Sequence, residues 1–146
     1  MISIILTNLK LKTFTEQNVL DYCLLNNINS DNIIILDLSY NQLTDISGIK
    51  LFKNLKSLVL SYNLIENILV IQYLNNLKSL YINNNQIEDI SIIQDLTDLK
   101  ILDINNLELE SDQIQYIKSL KILFCRKGFK DMSVLNQLNK NIQIIK

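Results

Sequence analysis

Three stretches of this sequence align without gaps and decide its fold: IIILDLSYNQL at residues 33–43, LKSLVLSYNLI at 55–65 and LKSLYINNNQI at 77–87. Each starts 22 residues after the one before, with apolar residues at its first, fourth, sixth and eleventh positions and Asn at its ninth. Two further copies, from Leu99 and Leu120, keep the first three apolar positions, and the fifth has Gly128 where the asparagine belongs. A fixed period of this length predicts an architecture of stacked coils.

The spacing of the apolar residues indicates how each coil is built. Residues two apart on a strand point to the same side, so Leu58 and Leu60 are both expected to face inward. One coil cannot bury that face alone, whereas coils stacked about 4.8 Å apart share one core behind a parallel sheet. Asn after each strand tolerates unusual backbone angles and can bond to neighbouring coils. In the return segments, apolar residues three apart, such as Ile46, Ile49 and Phe52, predict a 3₁₀-like back wall.

This repeat resembles that of the leucine-rich repeat family, with its L-x-x-L-x-L-x-x-N-x-L signature. The period of 22 residues and the Asp-Ile-Ser triplets at 45–47 and 89–91 are similar to the short subtype found in protein-phosphatase-1 regulatory subunits and bacterial internalins. That subtype usually has Pro next, where this chain has Gly48 and Ile92. The resemblance covers residues 33–141 well. It implies an α/β fold: a leucine-rich repeat solenoid, coiled right-handed, with a concave parallel β-sheet and a convex side of mostly 3₁₀ and short helices.

We expect one domain over residues 1–146, divided into an N-terminal capping coil (1–32), four regular repeats (33–119) and a degraded last repeat with a terminal strand (120–146). The first coil looks more like the ribonuclease-inhibitor type of leucine-rich repeat. Its strand is expected at Leu6, Leu9 and Leu11, in the pattern of the later coils. At its centre we predict a helix over 15–26, and the last strand is predicted at Ile142–Ile145.

The predicted helix of the first coil has the features of a capped amphipathic helix. Thr15 is its expected N-cap, and Phe14 and Val19 are placed to form a hydrophobic staple. Leu20, Cys23 and Leu24 share one helical face.

Composition excludes several kinds of chemistry. The chain has no His, so it cannot form a Ser-His-Asp or Cys-His centre or an imidazole metal site. Two glycines are too few for a Gly-rich phosphate loop. We therefore expect no enzyme, no cofactor and no metal. A net charge of −1 argues against nucleic-acid binding driven by bulk charge, and the apolar runs are too short to span a membrane.

The two cysteines and the N-terminal sequence bear on localisation. Cys23 and Cys125 are the only thiols, and the repeat places them about 20 Å apart, beyond the reach of a disulfide. We expect Cys125 to be a small buried apolar residue. With no recognisable signal peptide at the start of the sequence, these features predict a cytoplasmic protein.

Outward positions of successive strands form columns, and the candidate site lies there. These columns place aromatic and apolar side chains among Ser and Asn, a composition typical of protein-binding surfaces. The alternative is that Tyr, Val, Ile and Phe simply favour strands. We predict a non-enzymatic protein–protein interaction module that binds an unidentified partner protein on the concave sheet. The predicted partner-binding residues are Asp37, Tyr40, Val59, Tyr62, Tyr81, Asp103, Phe124 and Arg126.

Two other functions stay open at this stage. The chain could form a homodimer or larger assembly through an exposed edge strand at Ile142–Ile145. A weaker alternative is contact with RNA or another anionic surface along a lysine column, with acidic residues on the opposite rim of the sheet. This lysine column comprises Lys56, Lys78, Lys100 and Lys121. The preferred interpretation of this column is one solvated position copied by duplication.

Overall fold

The computed structural model describes residues 2–117 and 120–146. Over these ranges the chain forms a single seven-stranded parallel sheet with the strands in sequence order. The strands are β1 (Ile2–Ile5), β2 (Ile33–Asp37), β3 (Ser57–Val59), β4 (Ser79–Tyr81), β5 (Ile101–Asp103), β6 (Ile122–Phe124) and β7 (Gln143–Ile145). One α-helix, α1 (Glu16–Leu25), precedes β2. The 3₁₀ helices are Ser30–Asn32, Ser47–Leu51, Leu69–Tyr73, Ser91–Asp95, Ser111–Ile117 and Met132–Gln137.

The core is a row of superposed apolar side chains, as the repeat predicted. Leu36 pairs with Leu58, and Leu80 pairs with both Leu58 and Leu102. Leu123 continues the row, and all five side chains have no exposed surface. Because the register never slips between β2 and β6, the same face of every strand stays buried, and the fold is the predicted solenoid.

Short 3₁₀ helices form the convex side of the coils. In the second coil, Phe52 N–H donates to the Ile49 carbonyl at 3.1 Å, the i-to-i−3 bond of a 3₁₀ turn. The Asp of each Asp-Ile-Ser triplet caps the turn that follows: Asp45 Oδ1 accepts from Ser47 N–H at 2.8 Å, and Asp89 Oδ1 accepts from Ser91 N–H at 2.7 Å. The triplet therefore fixes the start of the 3₁₀ helix that follows it.

The first coil differs from its predicted register. Ile4 of β1 pairs with Leu36, so the strand is Ile2–Ile5 and lies before Leu6, Leu9 and Leu11. Leu9, predicted at the Leu36 position, is 54% exposed. The prediction was wrong because it required the spacing of the later coils. The β-branched residues of β1 favour a strand instead, and Leu9 lies between two residues of positive φ, Asn8 and Lys10, where a strand cannot continue.

Helix α1 has the predicted cap. Thr15 accepts from Asn18 N–H, and the Asn18 side chain accepts from Thr15 N–H, which completes a capping box. Phe14 and Val19 are both buried at its base. Leu20 and Leu24, expected to share a face with Cys23, are 54% and 84% exposed, so the core contact depends mainly on Val19.

Gly48 stands where the short repeat subtype usually has Pro, and the capping coil explains it. Gly48 N–H donates to the Phe14 carbonyl at 2.7 Å. A Cβ at this position would lie 2.4 Å from the Thr15 carbonyl oxygen. The backbone of the first coil therefore needs both a donor N–H and no side chain here, and Pro supplies neither.

At the other end of the sheet, β7 begins at Gln143, one residue later than predicted. Cys125 of the last repeat has no exposed surface, as expected, and both cysteines are free thiols. Within the described ranges, α1 is the longest helix and is too short and too polar to cross a bilayer.

Candidate functional site

The ends of β2, β3 and β4 are held by a ladder of three asparagines, Asn41, Asn63 and Asn85, of which the first two are buried and the third is partly exposed. Asn63 Nδ2 donates to the carbonyls of Leu38 and Leu60, both at 3.0 Å, and its Oδ1 accepts from Leu43 N–H at 2.9 Å. Asn41 and Asn85 make corresponding bonds in their own coils. Each amide joins two successive coils, which holds the coils together where β2, β3 and β4 end.

The third residue after each of β1 to β6 has the left-handed conformation, and after β2, β3 and β4 it directly precedes a ladder asparagine. We call this set the left-handed column; its φ values lie between 51° and 59°, at Asn8, Tyr40, Tyr62, Asn84, Asn106 and Lys127. Each of the first five donates its N–H to the next coil, as Tyr40 does to the Ser61 carbonyl at 3.0 Å. Asn is the usual non-glycine residue at such angles, whereas a bulky aromatic residue there is an outlier.

The two tyrosines of the left-handed column stack on each other. Their ring centroids are 4.5 Å apart and their planes differ by 9°. Tyr40 is 57% exposed and Tyr62 45% exposed. The column therefore presents a two-ring aromatic surface to solvent, flanked by Asn8 on one side and Asn84 on the other.

The central column of the concave face contains most of the remaining predicted residues, in register and half-buried. Strand pairing places Asp37 beside Val59, Val59 beside Tyr81, Tyr81 beside Asp103 and Asp103 beside Phe124. Pairing also adds Ile5 before Asp37 and Ile145 after Phe124, and sequence analysis missed both. Ile5 was missed because β1 was predicted too late in the chain. Ile145 could have been found by extending the 21- and 22-residue steps to the last strand.

The two carboxylates of this column have different environments. Asp37 Oδ1 accepts from both the N–H and the hydroxyl of Ser39, at 2.9 and 2.7 Å. Asp103 Oδ1 accepts from Asn105 N–H at 2.9 Å. Burial raises the pKa of the Asp103 carboxyl, and the bond from Asn105 opposes that rise only in part. Burial therefore removes part of the hydration of the Asp103 carboxylate.

Arg126 lies apart from the tyrosine stack, at the far end of the sheet. Its side chain is exposed, and its N–H donates to the side-chain oxygen of Asn105. The structure thus divides the eight predicted residues into the tyrosine stack near β2 and β3, the central column, and Arg126 beyond β6.

The rims of the sheet carry opposite charge, as predicted. The N–H groups of Lys78, Lys100 and Lys121 each donate to the carbonyl of the preceding lysine at 2.8 to 2.9 Å, which holds the lysine column in one row. Glu110, on the opposite rim, pairs with Lys130. Within the described residues, no member of the lysine column forms a side-chain ion pair. Exposed single-sign rows of this kind interact weakly in water and are screened by salt.

The best-defined groove lies away from the predicted site, and the described residues include no group of metal ligands. A groove of about 590 Å³ lies beside α1, lined by Val19, Cys23 and Leu51 among others, and none of the eight predicted residues contributes to it. Among residues 2–117 and 120–146, no three Cys, Asp or Glu side chains are grouped to hold a metal ion. What the concave face offers chemically is aromatic surface, hydrogen bonding and a half-buried carboxylate.

Comparison with known proteins agrees with this geometry. Residues 31–73 and 75–146 match a family model described as leucine-rich repeats in two copies. Among solved structures, an internalin (inlF) of Listeria monocytogenes is similar with a TM-score of 0.62 at 25% identity, over 80% of this chain and 42% of that one. A leucine-rich repeat protein of Leptospira interrogans gives a TM-score of 0.66 at 25% identity, over 78% of this chain and 31% of that one.

Internalin C2 of Listeria monocytogenes, at 23% identity and a TM-score of 0.63, covers 97% of this chain and 69% of its own, and shows the same fold. The chain therefore spans less than half the length of the first two of these structures. No curated protein sequence matches it. The family-model match over most of the sequence, together with the superposed leucines and the asparagine ladder, shows that this chain belongs to the leucine-rich repeat family.

Proposed function

We propose that this chain is a non-enzymatic protein-interaction module that binds a partner protein across its concave sheet. The observation that carries the proposal is the stacked pair Tyr40 and Tyr62, exposed and held in a backbone conformation unfavourable to aromatic residues. The leucine-rich repeat fold, which typically mediates protein–protein interaction, supports it.

Stability alone does not account for the two tyrosines. A left-handed conformation costs an ordinary residue roughly 1–2 kcal/mol, a cost that Asn largely avoids. Stacking returns about 0.5–1.5 kcal/mol for the pair. The same column has Asn8, Asn84 and Asn106 in this conformation, so the fold accepts Asn readily. Strained residues gather at functional sites, and Tyr is among the residues that dominate binding energy in protein interfaces.

The central column extends the proposed interface across the sheet. Tyr81 and Phe124 are only partly buried on the concave face, where they stand on either side of Asp103. Aromatic residues surrounded by small polar groups form the centre of many interfaces. We therefore assign Tyr81 and Phe124 as further anchors and Val59, Asp103 and Arg126 as surrounding contacts. Asp37, whose Oδ1 already accepts two hydrogen bonds from Ser39, is not assigned a contact.

The test uses the asparagine that the chain itself places in this column. In the double variant Tyr40→Asn with Tyr62→Asn, the backbone strain relieved at two residues, about 2–4 kcal/mol, exceeds the stacking lost, about 0.5–1.5 kcal/mol, so the free energy of unfolding should not fall. Loss of two aromatic anchors should weaken partner binding by about 2 kcal/mol or more, roughly 30-fold. The measurements are urea unfolding and affinity capture from the cells that make the protein.

Tyr73 supplies the matched control. It is 47% exposed on a convex 3₁₀ helix, with Lys53 Nζ 5.4 Å from its ring centroid. Tyr73→Asn removes an exposed tyrosine from the opposite side of the sheet and should leave capture unchanged. If the double variant captures the same proteins as wild type in the same amounts, the concave face is not the binding surface.

A further inference from the structure

The half-buried carboxylate of the central column lies between two aromatic residues. Strand pairing sets Tyr81 on one side of Asp103 and Phe124 on the other. Neighbouring strands are about 4.8 Å apart, so side chains on the same face of β4, β5 and β6 are direct neighbours. All three are partly exposed on the concave face.

Asp103 has fewer internal partners than the other carboxylate of this column. Its Oδ1 accepts one backbone N–H, that of Asn105. The ion pairs in the described part of the chain are Lys50–Glu16 and Lys130–Glu110, so no described cation lies within 4 Å of Asp103. A carboxylate that has lost hydration without gaining a cation has unused capacity to bind one.

The other carboxylate of the central column, Asp37, has different neighbours and more hydrogen bonds than Asp103. Its neighbours in register are the aliphatic Ile5 and Val59. Two donors of Ser39 satisfy its Oδ1. Asp37 and Asp103 therefore share a column and a local turn, but only Asp103 combines an aromatic setting with a single internal hydrogen bond.

We propose that Tyr81, Asp103 and Phe124 form a subsite for one arginine side chain of the partner protein. A guanidinium presents a planar fork of donors that fits a carboxylate with two bonds, and its faces stack on aromatic rings. The two rings flanking Asp103 add cation–π attraction while keeping water away. A phosphate group of a nucleic acid or a lipid is excluded from this subsite, since it would meet the carboxylate's negative charge. This inference rests on the proposed function and names the chemistry of the partner.

One substitution separates the hydrogen bond that Asp103 accepts in the turn after β5 from its negative charge. In Asp103→Asn the side-chain carbonyl oxygen still accepts from Asn105 N–H, so the turn after β5 is kept while the negative charge is lost. Asp37→Asn makes the same change in the same column beside aliphatic neighbours and serves as the matched control.

The experiment is a two-dimensional NMR titration of the full chain with N-acetyl-arginine methylamide. The neutral citrulline analogue, which has the same shape, is the control ligand. We expect saturable shifts of the Tyr81, Asp103 and Phe124 amide signals with the arginine probe and far smaller ones with citrulline. Asp103→Asn should weaken the interaction about tenfold or more, and Asp37→Asn should leave it unchanged. Absence of saturable shifts, equal response to citrulline, or full binding by Asp103→Asn would each overturn the subsite.

Affinity capture distinguishes failure of the arginine subsite from failure of the proposed function. If the tyrosine double variant loses the partner while Asp103→Asn and the NMR titration show no effect, the binding face stands and the arginine subsite is wrong. If capture is unaffected by the tyrosine double variant and by Tyr81→Ala with Phe124→Ala, the proposed function itself is wrong.

Discussion

Replacing the central asparagine of the ladder, Asn63→Ala, should remove a large part of the stability of the solenoid. Asn63 is 6% exposed. Its side chain donates to the carbonyls of Leu38 and Leu60 and, at a longer 3.4 Å, to that of Ser61, which also accepts from the backbone of Tyr40. It accepts one hydrogen bond, from Leu43 N–H. The carbonyls of Leu38 and Leu60 keep partners in the variant, because Asn41 and Asn85 also donate to them. The Leu43 N–H alone loses its side-chain acceptor.

The loss of unfolding free energy in Asn63→Ala can be estimated because only Leu43 N–H is left without a side-chain partner. A buried N–H left without an acceptor costs about 1–3 kcal/mol, and a hydrogen bond whose acceptor keeps another partner costs nearer 0.5 kcal/mol. The expected total is therefore about 2–4 kcal/mol, a large fraction of the 5–15 kcal/mol typical of a domain. Urea unfolding followed by circular dichroism measures it.

The control is Asn75→Ala, the same substitution at an exposed position of the same coil. It should change the free energy of unfolding by less than about 0.5 kcal/mol. If Asn63→Ala costs no more than Asn75→Ala, the ladder does not hold the strand ends.

Three further outcomes are expected. Gly48→Ala should destabilise the protein by about 1–3 kcal/mol in urea unfolding, since the new Cβ would lie 2.4 Å from the Thr15 carbonyl oxygen; an unchanged midpoint would contradict this. A thiol reagent such as Ellman's should label Cys23 in the native state but not Cys125, which is fully buried with its pKa raised to about 11 by that burial. Two native thiols reacting at similar rates would refute that assignment. Because burial raises the folded-state pKa of Asp103, its contribution to stability is lost as pH rises through the carboxyl range, so the stability of Asp103→Asn relative to wild type should increase over that range, and a difference that does not change with pH would count against this.

Local spacing was enough to predict the solenoid, the central column and the cap of α1. The register of β2 to β6 follows from the period, because a shift of one residue would expose every core leucine. Thr15, Phe14 and Val19 were identified from local rules of helix capping, which depend only on residues close together in sequence. In the same way, the period placed Tyr40 and Tyr62 at corresponding positions of adjacent coils.

The first strand and the sides of α1 could not be predicted in this way. The first coil is longer than the others and has no second copy in the chain, so its strand was placed by analogy at Leu6 to Leu11 instead of Ile2–Ile5. Helical spacing grouped Leu20 and Leu24 with Cys23, but which side of α1 is buried depends on where the next coil lies. The answer depends on contacts between residues far apart in sequence, and in α1 the buried residue is Val19.

That this chain is a stack of coils with ordered columns follows from its amino-acid pattern alone, since one coil with a fixed period of apolar residues buries them only against its neighbours. The conformation and surroundings of individual residues became apparent only in the folded chain. It showed the tyrosines stacked in left-handed positions, Asp103 half-buried between two aromatic residues, and Gly48 pressed against the backbone of the first coil. Contacts between neighbouring coils fix each of these features, and such contacts join residues that are about 20 to 30 positions apart in sequence.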